Sequence, residues 1–88
     1  MITEYPQQVQ DLIADLATDP DLQSLAAEPA IKTTMNSYGH YMSTLTMLAT
    51  KMPIGLADTS SEMRFWADVL IAAGANERGV RDALKVST

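Results

Sequence analysis

Residues 29–52 read PAIKTTMNSYGHYMSTLTMLATKM, and the spacing inside this stretch decides the fold class. Ile31, Met35, Tyr38, Met42, Leu45, Ala49 and Met52 fall alternately four and three residues apart, which is the seam of an α-helix packed along its length. Tyr41 and Leu48 widen that seam on one side, while Met47 and His40 lie outside it. Between Lys32 and Lys51 there is no Asp, Glu, Lys or Arg. The face away from the seam therefore carries Thr, Ser, Asn and His where a helix in water usually carries charge. The pattern predicts one long helix over 29–52, about 36 Å in length at about 1.5 Å per residue, covered on more than one side. Its five Thr make it a poor helix by propensity, so tertiary packing has to hold it. Gly39 sits in the interior and costs about 1 kcal/mol relative to Ala, yet the seam passes through it without changing phase.

Working outward toward the N-terminus, Glu28-Pro29 reads as the start of that helix, with an acid beside the positive end of the helix dipole. Asp19-Pro20 reads as an N-cap followed by proline at the first helical position, and Leu22, Leu25 and Ala26 give a short helix its apolar side. Asp19-Pro20-Asp21 does not begin a calcium loop, because position six is Ser24 instead of Gly and position twelve is Ala30 instead of Glu. Ahead of it, proline at Pro6 opens a helix over 6–18, with Val9, Leu12, Ile13 and Leu16 at helical spacing and Asp11 and Asp15 opposite.

On the C-terminal side, Pro53-Ile54-Gly55 stops the long helix. Thr59-Ser60-Ser61-Glu62 has the spacing of a capping box, in which the Thr59 hydroxyl and the Glu62 carboxylate satisfy each other's amides. In the helix that follows, Met63, Trp66, Leu70 and Ala73 form one apolar line and Phe65, Val69 and Ala72 a second. Arg64, Asp68 and Ile71 are left to face water, and this helix is expected at the centre of the core. Gly74 suits a left-handed C′ position and Asn76 the next N-cap. A last helix over 77–86 buries Val80, Ala83 and Leu84 and turns Arg78, Arg81 and Lys85 to another side. The expected architecture is an all-α small helical bundle of about four to five helices around one long central helix, in a single domain over 1–88.

The run Ala73-Gly74-Ala75-Asn76-Glu77-Arg78-Gly79-Val80-Arg81-Asp82-Ala83-Leu84 resembles the turn and second helix of helix-turn-helix DNA-binding proteins. There a turn glycine precedes a capped helix with buried Val and Leu. The resemblance implies a DNA-binding segment over 63–86 in which Arg78, Arg81 and Lys85 meet phosphates. Two positions depart from it: Leu70 stands where such motifs favour a small residue, and Glu77 and Asp82 place acids on the second helix.

Composition narrows the chemistry. The 88 residues include no cysteine and one histidine, which removes disulfides, thiolate chemistry and cysteine-ligated zinc. His40 lies three or four residues from Ser37, Ser43 and Thr44, but hydroxyls on a regular helix have no oxyanion hole and no third orienting group. It reads as a polar surface histidine. The four glycines are isolated, so there is no phosphate-cradling loop. Trp66, Phe65 and the methionines fall at core spacing. We expect no catalytic residues, no cofactor and no metal: a non-enzyme.

The uncharged central stretch is too polar to span a membrane. Residues 1–10 lack the basic and apolar runs of a secretion signal, so a cytoplasmic protein is expected. The net charge of −5 is concentrated in residues 1–30, which carry six acids and no base; a solvated acidic face is the plain reading. The functional expectation is an accessory or regulatory protein acting by protein–protein binding, as a homo-oligomer or with a protein partner, through Tyr38, Tyr41, Met42, Met47 and Leu48. Interface centres are depleted in charge and rich in Met and aromatic residues. DNA binding through the C-terminal segment is the alternative.

Overall fold

A computed structural model describes residues 4–31 and 36–87. Among them the chain forms five helices and no strand: α1 Gln7–Leu16, α2 Pro20–Ile31, α3 Ser37–Lys51, α4 Thr59–Ala72 and α5 Glu77–Ser87. The fold is the small all-α bundle that the periodicities predict.

Four of the five helices start at a side-chain cap, and two of those caps, Asp19 and Asn76, are the ones expected from the sequence. Asp19 Oδ1 accepts from the amides of Asp21 (2.8 Å) and Leu22 (3.3 Å), with Pro20 at the first helical position. Asn76 Oδ1 accepts from the Gly79 amide at 2.8 Å. Between α4 and α5, Gly74 takes φ +111°. The Gly74 amide then donates to the Ile71 carbonyl at 3.0 Å and the Ala75 amide to that of Leu70 at 2.9 Å, the paired bonds of a Schellman motif. At α4 the cap is one residue earlier than the capping-box spacing suggests. Asp58, not Thr59, accepts from the Ser61 amide, at 2.7 Å, and that bond holds the Asp58 carboxyl below the usual carboxylate range. Glu62 is thereby released from capping. Its buried carboxylate instead accepts from the amides of Ile54 (3.0 and 3.1 Å) and Leu56 (2.8 Å), closing the loop between α3 and α4.

The long helix over 29–52 is not one helix. Asn36 is extended (φ −75°, ψ 101°) and its side chain caps a new helix by accepting from the Gly39 amide, so α3 begins at Ser37 and runs unbroken through Gly39. Pro29 does not open a helix but lies inside α2. A proline there has no amide to give the carbonyl four residues back, that of Leu25. The vacancy is filled from the neighbouring helix: His40 Nε2 lies 2.8 Å from the Leu25 carbonyl oxygen and donates to it. The expected seam position Met35 lies outside the described residues.

The core is built on α4, against which every other helix packs. Its buried residues run from Glu62 to Leu70, broken only at Arg64. Phe65 and Trp66 meet edge-to-face at 5.2 Å and 84°. Asp68, expected to face water, is instead 2% exposed. It accepts from Tyr5 Oη at 2.9 Å and from Arg81 Nη2 at 2.6 Å, tying the N-terminal segment and α5 to the middle of α4. A buried carboxylate is tolerated only when paired and hydrogen-bonded in this way. Leu12 and Ala72, expected inside, are exposed because α1 buries only Ile13 fully and α4 turns Ala72 outward.

Candidate functional site

The two sides of α3 have opposite roles. Tyr41, Thr44, Leu45, Leu48 and Ala49 point into the core, against α4 and α5. Ser43, Thr46, Met47, Thr50 and Lys51 are exposed, and Met42 is half-buried at the boundary. The outer residues form a shallow groove of about 470 Å³ lined by Met42, Ser43, Thr46, Met47, Thr50 and Lys51. Ser43, Thr46 and Thr50 make its floor, and the long side chains of Met42 and Met47 stand on either side, as their positions around the helix require. The Thr46 hydroxyl donates back to the Met42 carbonyl at 2.9 Å, so part of the floor's polarity is already satisfied within the helix. Met47 is 40% and Met52 48% exposed.

This divides the residues that the sequence nominates for an interface. Tyr41 and Leu48 are each 2% exposed and belong to the chain's own core, because the buried stripe of α3 is centred on Tyr41, Leu45 and Leu48, rotated from the expected seam. Tyr38 and Met42 are partly buried against that core. Met47 stands in water. The groove floor was not singled out from sequence; its signal was the absence of charge between Lys32 and Lys51 combined with a buried stripe one position around.

α4 and α5 are joined by a turn with Gly74 at positive φ and an Asn76 cap, but the basic residues that the sequence nominates for DNA are divided. Arg78 and Lys85 are exposed, whereas Arg81 is committed to Asp68 and also lies 3.9 Å from Glu77. The exposed charges of α5 are then Glu77, Arg78, Asp82 and Lys85, two of each sign. Binding to a duplex draws its affinity from net positive charge on the face that meets phosphates.

His40 is not the surface histidine expected. Its side chain is 11% exposed, its ring lies 5.5 Å from that of Tyr41, and Nε2 serves the Leu25 carbonyl, leaving Nδ1 facing Glu28 at 3.9 Å. Tyr41 makes a parallel link: its hydroxyl donates to the Ala26 carbonyl and accepts from the Asn76 amide, both at 3.4 Å. The signal for the His40 link was present in Pro29, since a proline inside a helix frees the carbonyl at i−4. A second depression, of about 580 Å³, lies between the C-terminal half of α2 and the α4–α5 turn, with Ala26, Pro29, Tyr41, Gly74, Asn76 and Gly79 among its lining.

Among the described residues no three His, Cys, Asp or Glu side chains converge on a cation position, and no helix is long and apolar enough to cross a membrane. The chain matches no protein-family model, no curated protein and no solved structure.

Proposed function

We propose that the protein is a non-catalytic accessory or regulatory protein that acts by docking another protein surface on the outer face of α3. The observation that carries this reading is the groove of Met42, Ser43, Thr46, Met47, Thr50 and Lys51, on a helix whose opposite side is fully used by the core. An outer helix face in water normally carries charge. Here the face carries no charge before Lys51 and is flanked by two methionines, two features that interface centres share. Affinity purification from the native cell, with the unaltered chain beside Met47→Glu and Arg78→Glu/Lys85→Glu, tests it. Partners lost with Met47→Glu and retained with the α5 variant are the expected result. Retention with Met47→Glu overturns the reading.

DNA binding remains the second reading, favoured by the formed turn with Gly74 at positive φ and the Asn76 cap. It requires a mobility shift at low salt that fades steeply as salt rises and that Arg78→Glu/Lys85→Glu removes. No shift at low salt ends it.

A further inference from the structure

We infer that α1 and the Tyr5 segment ahead of it form a strap that releases from α4 as one unit while α2 to α5 stay folded, uncovering the α4 surface around Phe65. The inference is independent of the α3 groove, which no residue of α1 lines. Among the described helices, α2 and α5 each pack on both α3 and α4, and α3 and α4 also pack on each other. α1 packs on α4 and makes no comparable packing with α2, α3 or α5. Of its apolar residues only Ile13 is fully buried; Val9 and Leu16 are half-buried and Leu12 is 38% exposed. An element with few buried apolar contacts opens before the rest of a fold. Once off α4, its ten residues are too few to hold a helix in water, so release and unwinding occur together.

Tyr5 is the anchor of the strap. Its ring meets that of Phe65 edge-to-face at 6.3 Å and 86°, and its hydroxyl donates to Asp68 Oδ2 at 2.9 Å. Gln10 Nε2, on α1, donates to the Tyr5 carbonyl at 2.8 Å, which couples the anchor to the helix. A buried carboxylate stripped of all its partners would oppose release. Asp68 is not stripped, because Oδ1 keeps Arg81, on α5, at 2.6 Å, while Oδ2 exchanges the phenol for water. The other end of the strap is also self-sufficient. Asp19 caps α2 through the amides of Asp21 and Leu22, so α2 keeps its start when α1 leaves. Phe65, 0% exposed beneath this cover, is the apolar residue that release brings to solvent. The strap thus gates an apolar surface of α4, and the bond between Tyr5 and Asp68 sets how often the gate opens.

Hydrogen exchange of the full chain, resolved to single amides and followed at increasing urea below the unfolding transition, tests the strap. Relative to their intrinsic rates, amides of residues 11–17 should exchange at least tenfold, as an order of magnitude, faster than the slowest amides of α3 and α4. They should share one urea dependence, weaker than that of the core, because opening the strap exposes less surface than unfolding the chain. Tyr5→Phe should speed them about tenfold, through loss of a bond to a charged acceptor that exists only in the closed form. Val80→Ala, at a fully buried position of α5, should speed the slowest amides of α3 and α4 roughly tenfold and leave residues 11–17 unchanged, since the closed and open forms bear that loss alike. Four results would each overturn the inference: residues 11–17 that match the core in rate and urea slope, that fray one by one with no common slope, that are indifferent to Tyr5→Phe, or that Val80→Ala accelerates as much as the core. If Val80→Ala does not fold, the urea slopes of the unaltered chain decide between release of the strap and global opening.

Discussion

At the scale of single residues, the contact between His40 and the Leu25 carbonyl assigns the one histidine a structural task. Pro29 removes the donor that α2 would otherwise supply, and His40 replaces it from α3. A part-buried carbonyl left without a donor costs about 1–3 kcal/mol, so His40→Leu should lower the unfolding free energy by that amount, read from the urea midpoint and slope. The emission of Trp66, 1% exposed in the core, is the natural probe. In a Pro29→Ala background the new amide at position 29 can donate to the same carbonyl. His40→Leu should then cost at least about 1 kcal/mol less, a coupling readable from a double-mutant cycle. Strictly additive losses would show that His40 stabilises the fold in some other way. None of this depends on what the protein binds, which separates damage to the fold from damage to the α3 groove.

At the scale of elements, two glycines in helices give opposite expectations. A Cβ at Gly39 would meet Asn36 side-chain atoms at 3.6 Å or more, an ordinary contact. Gly39→Ala should therefore gain about 0.5–1 kcal/mol through α3 propensity and a less flexible unfolded chain. A Cβ at Gly79 would lie 3.1 Å from Tyr41 Cε2, and that ring is 2% exposed with its hydroxyl bonded on two sides. Overpacking costs about 1–3 kcal/mol, which outweighs the propensity gain, so Gly79→Ala should destabilise. Thermal unfolding of the two variants should shift in opposite directions; a gain for Gly79→Ala would mean that α3 and α5 are less tightly engaged than this ring contact implies. Gly79 is thus a place where α5 is made to fit α3, whereas Gly39 is a tolerated weakness.

At the scale of the molecule, Asp68 joins parts of the chain that are far apart in sequence, and the linkage is visible in pH. Burial, then the bond to Asp68 and its charge, push the Tyr5 hydroxyl well above its ordinary value of 10.0. The folded state therefore favours the protonated phenol. Its contribution to stability is fully present below pH 10.0, the ordinary value, and is lost as pH rises from there toward the folded value. Stability should fall on the alkaline side of 10.0 more steeply in the native chain than in Tyr5→Phe, as followed by urea midpoints at a series of pH values; equal slopes would place the Tyr5 hydroxyl outside the Asp68 pair.

The sequence by itself determined what depends on neighbours along the chain. The helical periods, the caps at Asp19 and Asn76 and the turn at Gly74 are local, because a cap or a turn is made by atoms a few residues apart. Its local signals also misled where two of them competed. Pro29 satisfies the rule for a helix start as well as it fits an interior position relieved from outside, and Asp58 stands one residue ahead of an equally plausible Thr59. Only the tertiary structure decided how far each helix is rotated, and rotation settles which of Tyr41, Met42, Met47 and Leu48 meets water. It decided likewise that Asp68 and Glu62 are inside and that Arg81 is spent on Asp68. The physical reason is that a buried charge or a freed carbonyl is stable only with a partner. The partners here, Tyr5 and Arg81 for Asp68, the Ile54 and Leu56 amides for Glu62 and His40 for Leu25, are set by packing and not by any period in the sequence.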